Sequence, residues 1–108
     1  MRIALAQLAS SPDREANLEK ALTALAEAQA AGAELVAFPE VVLDRFFPCR
    51  PDDRDALALA EPIPGPITER LAARARELGL VVVFNLYEEE AGPQGAKRFD
   101  SSPVIDAD

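Results

Sequence analysis

An α/β fold, with a mixed sheet and two long helices on one of its faces, is predicted by three features of this sequence. Short continuous apolar runs at Leu35–Phe38 and Leu80–Tyr87 suit strands covered on both faces, and they are too short for helices. Two longer segments carry a single apolar stripe at helical spacing: Leu18, Ala21, Leu22, Leu25 and Ala28, then Ile67, Leu71, Ala75 and Leu78. Strand, helix and strand follow one another within the first forty residues. That order is a βαβ unit, whose crossover is right-handed.

The elements follow in order. Ile3 to Leu8 is short and mostly apolar, as a buried first strand should be. Met1 to Ser10 loosely mimics a signal peptide, but the apolar stretch is short and Gln7 interrupts it. Ser10 to Asp13 forms a turn, with Ser11 as the expected N-cap and Pro12 at the first helical position. The helix then runs to about Ala31. Glu15, Glu19, Lys20 and Glu27 fall mainly outside its stripe, and Gly32 is its left-handed cap. The strand Leu35–Phe38 is ended by Pro39, and Glu40 follows at once.

Residues Val41 to Pro66 are the least regular. Phe46 to Pro51 reads as a loop carrying exposed aromatic rings, and Asp52 to Leu59 as a short helix. Pro62, Pro64, Gly65 and Pro66 keep the chain extended or turning. The second helix begins near Pro66 or Ile67 and is capped by Gly79. Leu80 to Tyr87 is the strongest strand, centred on Val81-Val82-Val83-Phe84. Glu88 to Glu90, with Gly92-Pro93-Gln94-Gly95, forms a solvated turn, and Arg98 to Ile105 returns as a hairpin partner. Leu35–Phe38 is expected beside both Ile3–Leu8 and Leu80–Tyr87 in largely parallel order, with the Val104 region antiparallel to Leu80–Tyr87.

Bulk properties narrow the function. At 108 residues the chain is one domain or part of one, and 49% apolar residues suffice for a core. A net charge of −8, with no cluster of Lys and Arg, excludes nucleic acid and an anionic membrane surface as partners. No run of 18 apolar residues is present to span a bilayer. The absence of histidine removes Ser–His–Asp and Cys–His catalysis and every His-based metal site from these residues. The single cysteine, Cys49, cannot form an internal disulfide. A soluble, cytoplasmic protein is the expectation.

Several stretches, taken in order, carry a resemblance. They are Ile3 to Leu8, Asn17-Leu18, Gly32 to Glu40 with its Phe38-Pro39-Glu40 ending, Pro64 to Ile67, Ala75 to Leu80, and Ser101 to Asp106. The ordered set covers essentially the whole chain and resembles the opening of the nitrilase superfamily of carbon–nitrogen hydrolases. That resemblance implies an α-β-β-α sandwich, of which residues 1–108 are the N-terminal portion of a single domain. It also implies a Glu–Lys–Cys catalytic set without cofactor or metal. Cys attacks a nitrile or amide carbon, Glu serves as general base, and Lys stabilises the oxyanion. Glu40 matches the family's Glu. The matching Lys and Cys positions would fall beyond Asp108, so a fragment or incomplete gene product is expected, inactive by itself. The full-length enzyme would act on a small linear amide, N-carbamoyl amine or nitrile, and would be a homo-oligomer. The alternative is an inert truncated product or a non-catalytic binding module.

Chemistry agrees with the place of Glu40. A carboxylate at the carboxyl end of a parallel strand faces the crevice where such sheets bind ligands. Burial against Phe38 and Pro39 would raise its pKa toward that of a base for a thiol. It is therefore expected to be partly buried, near Phe46 and Phe47. Those two rings either line a substrate pocket or cover the core edge. Cys49 lies in a proline-bounded loop and not on a strand–helix elbow, so it is set aside as nucleophile. Lys97 reads as a surface residue of the hairpin loop, and Glu88 to Glu90 as a solvated face and not a metal site.

Overall fold

The computed structural model describes residues 1–50, 52 and 54–108. Its centre is a four-stranded sheet in the order β1 (Ile3–Leu5), β2 (Leu35–Ala37), β3 (Val81–Val83) and β6 (Val104–Ile105). β1, β2 and β3 run parallel in the registers Ala4↔Val36 and Val36↔Val82. β6 lies antiparallel to β3, with Val82 opposite Ile105. The expected neighbours of Leu35–Phe38 are thus the observed ones. Pairing continues past the strand ends, where Ala6 N donates to Ala37 O at 2.9 Å and Phe38 N to Val83 O at 3.0 Å.

Helices α1 (Arg14–Ala30) and α2 (Pro66–Leu78) cover one face of this sheet. Side chains alternate across a strand, so the row Ala4, Val36, Val82 and Ile105 turns toward them. That row packs with Leu18, Ala21 and Leu25 of α1 and Leu71 and Ala75 of α2 into one core. The alternate row has no such cover. Ile3, Leu5 and Val104 remain 56%, 82% and 68% exposed. Arg70 joins the helices outside the core, 2.7 Å from both Glu15 and Glu19.

The start of α1 differs from the sequence expectation. Asp13, not Ser11, is the N-cap, its carboxylate accepting from Ala16 N at 3.1 Å. Ser11 is otherwise engaged. Its N–H donates to the buried Asn17 side-chain oxygen at 2.8 Å, and its carbonyl accepts from Asn17 Nδ2 at 2.7 Å. The far ends agree with expectation: Gly32 and Gly79 both take positive φ, at 82° and 66°.

The expected hairpin is present but bent. Leu80–Tyr87 divides into β3 and β4 (Leu86–Glu90), and the return strand divides into β5 (Lys97–Ser101) and β6. β4 and β5 form a separate two-stranded ribbon, in which Tyr87 faces Asp100 and Glu90 faces Lys97. Lys97 therefore opens a strand and does not sit in the loop. The break falls where Pro103 has no N–H for the ladder. Its carbonyl still accepts from Phe84 N at 3.2 Å, and the Asn85 side chain fills the gap beyond. Between β2 and α2, short 3-10 turns form at Phe47–Cys49 and Arg54–Leu59. The latter matches most of the helix expected over Asp52 to Leu59. Pro51 and Asp53 lie outside the described residues.

Candidate active site

Beyond Phe38 the chain leaves the sheet, and Glu40 opens a turn through Val41, Val42 and Leu43. Val41 has a φ of 52°, in the left-handed region. That conformation is unfavourable for a β-branched residue, and surrounding structure must hold it. Two buried asparagines do so. Asn85 Oδ1 accepts the Val41 N–H at 2.6 Å, and Asn17 Nδ2 donates to Leu43 O at 2.7 Å. Val41, Val42 and Leu43 pack into the interior, leaving Glu40 on the outside of the turn.

Glu40, Val41, Phe47, Pro48, Tyr87 and Asp100 line one pocket of about 130 Å³. The Phe47 and Tyr87 rings make one wall, with centroids 5.1 Å apart. Asp100 faces Glu40 from the ribbon. A hydrogen bond between the two carboxyls raises the pKa of Glu40 above its ordinary value, with partial desolvation and the Asp100 charge adding to the effect. Asn85 Nδ2 donates to Asp100 Oδ1 at 2.7 Å and to Ser102 Oγ at 3.0 Å. One amide thus ties the Glu40 turn to the strand that carries Asp100.

The expected burial of Glu40 is corrected: the residue is exposed. Phe38 does not shield it, because that ring turns inward and meets Phe84 edge-on at 5.1 Å. Pro39 is itself exposed. The raised pKa therefore comes first from a second acid and not from apolar neighbours.

The two phenylalanines separate. Phe47 lines both the Glu40 pocket and a neighbouring groove, whereas Phe46, 48% exposed, lines only that groove, with Asp44, Cys49 and Leu59. Cys49 is free and exposed. Its thiol lies 2.9 Å from Phe46 O, and it does not line the Glu40 pocket. Lys97 is exposed on the ribbon. Among the glutamates of β4, Glu88 accepts from Ser101 Oγ, and Glu89 pairs with Arg98 at 2.9 Å.

A second polar cluster braces the loop behind Phe47. Arg14 lies 3.4 Å from Asp44 and 3.2 Å from Glu61, and donates to Leu59 O at 2.9 Å. Burial pushes the Asp44 carboxyl up, and Arg14 opposes that shift. The cluster fastens both ends of the irregular segment to α1.

The carbon–nitrogen hydrolase family profile matches residues 2–108. The chain belongs to that family. A hydrolase of Mycobacterium tuberculosis is 39% identical over 88 residues, which span 81% of this chain and 29% of the relative. The omega-amidase of Xenopus tropicalis is 34% identical over 96 residues, 84% of this chain and 32% of that protein. The chain spans about a third of the length of these curated relatives. An amidase of the nitrilase superfamily from Nesterenkonia sp. AN1 superposes with a TM-score of 0.69 at 28% identity, covering 99% of this chain and 38% of that one. A variant of that amidase has been solved with the acetamide moiety of fluoroacetamide added covalently at its active-site cysteine. The mixed sheet with two long helices is the architecture shared with these hydrolases. No helix among the described residues is long and apolar enough to cross a membrane.

Sequence reasoning singled out Glu40 and, as one of two readings, Phe47; it missed Tyr87 and Asp100, which line the pocket, and Asn85, which braces it. Hairpin register was the available signal. With Glu90 opposite Lys97, Tyr87 necessarily stands opposite Asp100, one strand away from the Glu40 turn.

Proposed function

We propose that these residues form the N-terminal part of a hydrolase of non-peptide carbon–nitrogen bonds, acting on a small linear amide, N-carbamoyl amine or nitrile. Glu40 is its general base, and the Lys and Cys of the set come from residues after Asp108. The observation that carries this reading is the position of Glu40. It stands at the carboxyl end of a central parallel strand, in a pocket walled by Phe47 and Tyr87, within a chain matched by this family along nearly its whole length.

The chemistry follows from the parts. A carboxylate with a raised pKa is better matched to a thiol proton than an ordinary one. The thiolate it produces is the attacking species on the amide or nitrile carbon. Phe47, Pro48 and Tyr87 offer apolar surface to the non-reacting part of a small substrate. The pocket they line has a volume of about 130 Å³. The free thiol of Cys49 is consistent with a reducing, cytoplasmic location.

The test is ammonia release from simple amides and carbamoyl amines by the full-length protein. Glu40→Gln should lower turnover by at least about 100-fold, the scale of a lost general base. An unchanged rate overturns the assignment.

A further inference from the structure

Two acids meet at the pocket, and the family reading requires only one. Both acids are exposed, but one buried amide, that of Asn85, holds the turn after Glu40 and the Asp100 carboxylate. The Val41 N–H can only donate, so the Asn85 atom 2.6 Å from it must be the amide oxygen. The Asn85 nitrogen is then left to donate, and it does so to Asp100 Oδ1 at 2.7 Å. This bond orients Asp100 toward Glu40. The same amide holds the strained Val41 immediately after Glu40, so it sets the position of both carboxyls.

We propose that Asp100 is the positioning partner of Glu40, held by Asn85 so that any proton Glu40 receives is shared between the two carboxyls. The proposal rests on the reading of Glu40 as general base. In the reactive form both acids are ionised, and like charges this close repel. When the substrate-attacking thiol gives up its proton, the S–H bond breaks and its electron pair stays on sulfur. A Glu40 O–H bond forms, and the new hydrogen bond to Asp100 replaces the repulsion. Proton uptake is thereby favoured without burying Glu40, which is exposed here. On leaving-group departure the same proton passes to the nitrogen.

Other groups around the pocket do not account for this. The Phe47–Cys49 turn contributes Phe47 and Pro48, β4 contributes Tyr87, and β5 contributes Asp100. No Lys or Arg lines it among the described residues. Asn85, which donates to Asp100 and to Ser102, is neutral, and the charged groups of the ribbon are turned to one another, Arg98 pairing with Glu89 at 2.9 Å and Glu88 accepting from Ser101. The upward displacement of the Glu40 pKa, led by the Asp100 hydrogen bond, is what such a pair produces.

Asp100→Asn is the informative change. An asparagine keeps an oxygen for Asn85 Nδ2 and presents N–H to Glu40, turning repulsion into donation. In the full-length protein with carbon-13 carboxyl labels, Glu40 should titrate with a midpoint above that of an ordinary glutamate. With Asp100→Asn, Glu40 should titrate in a single step with a lower midpoint. The ascending limb of kcat/KM against pH should move down with it, and the plateau should fall by about 2- to 10-fold, as a weaker base requires. An unmoved Glu40 midpoint overturns the pairing. Asp100→Ala serves if Asp100→Asn does not fold: the Glu40 midpoint should again be lower, and an unmoved one also overturns the pairing. The titrations need no turnover. Full activity in Glu40→Gln with a lowered Glu40 midpoint in Asp100→Asn would remove the base assignment and leave the pair. Loss of activity in Glu40→Gln with an unmoved midpoint in Asp100→Asn would do the reverse.

Discussion

The two faces of the central sheet are built from the same residue types and meet opposite fates. Ala4, Val36, Val82 and Ile105 turn toward α1 and α2 and pack in the core. Ile3, Leu5 and Val104, one residue along the same strands, stand mostly in solvent. Strand propensity does not distinguish the rows, and neither does hydrophobicity. What separates them is the presence of a covering layer. An apolar second face is the mark of a sheet enclosed on both sides, so the open row is a surface shaped for further structure while the helical side supplies present stability.

Stability measurements can break this comparison. The largest effect should come from the covered side. Leu25, fully buried, touches the core from α1, and Leu25→Ala should cost about 2–5 kcal/mol in urea unfolding. A cost below about 1 kcal/mol would show that the helices are loosely seated. An intermediate effect belongs to the polar seam. Asn85→Leu leaves the Val41 N–H without its partner and should cost about 1–3 kcal/mol. It should also loosen the left-handed turn, seen as faster amide exchange at Val41. The smallest effect belongs to the open side. Leu5→Ser should change the stability of residues 1–108 by no more than about 0.5 kcal/mol, while reducing self-association on sizing chromatography. In a protein that continues past Asp108 and covers this face, the same change should cost about 1.5–3 kcal/mol. Equal costs in both settings would mean that the second face stays open.

The sequence was most legible where one signal dominated. Leu18, Leu25, Leu71 and Ala75 recur at the helical period, and the structure buries all four. Val36 and Val82 sit in short apolar runs and lie in the centre of the sheet as expected. Legibility failed where side chains competed for backbone groups. Ser11 looked like a cap, but the buried Asn17 amide takes its N–H and carbonyl, and Asp13 caps instead. The long hairpin was seen as two straight strands because Pro103 and Asn85 exert their effect only once paired across the bend. By itself Glu40 reads as an ordinary carboxylate after a strand; it was visible through the resemblance that Phe38-Pro39-Glu40 carries. Its partner Asp100 was not, because it lies 60 positions away and only the β4–β5 register brings it near.

The parallel order of β1, β2 and β3 has a consequence for the timing of synthesis. β2 finds its first neighbour early, because residues 3 to 37 complete the β1–β2 pair. Its second neighbour is registered at Val81, roughly 45 residues later, an interval of about 2–9 s at ordinary elongation rates. Through that interval the nascent chain carries β2 with one edge unsatisfied, and the Glu40 turn lacks Asn85. The turn would take its final shape only after the hairpin bend emerges.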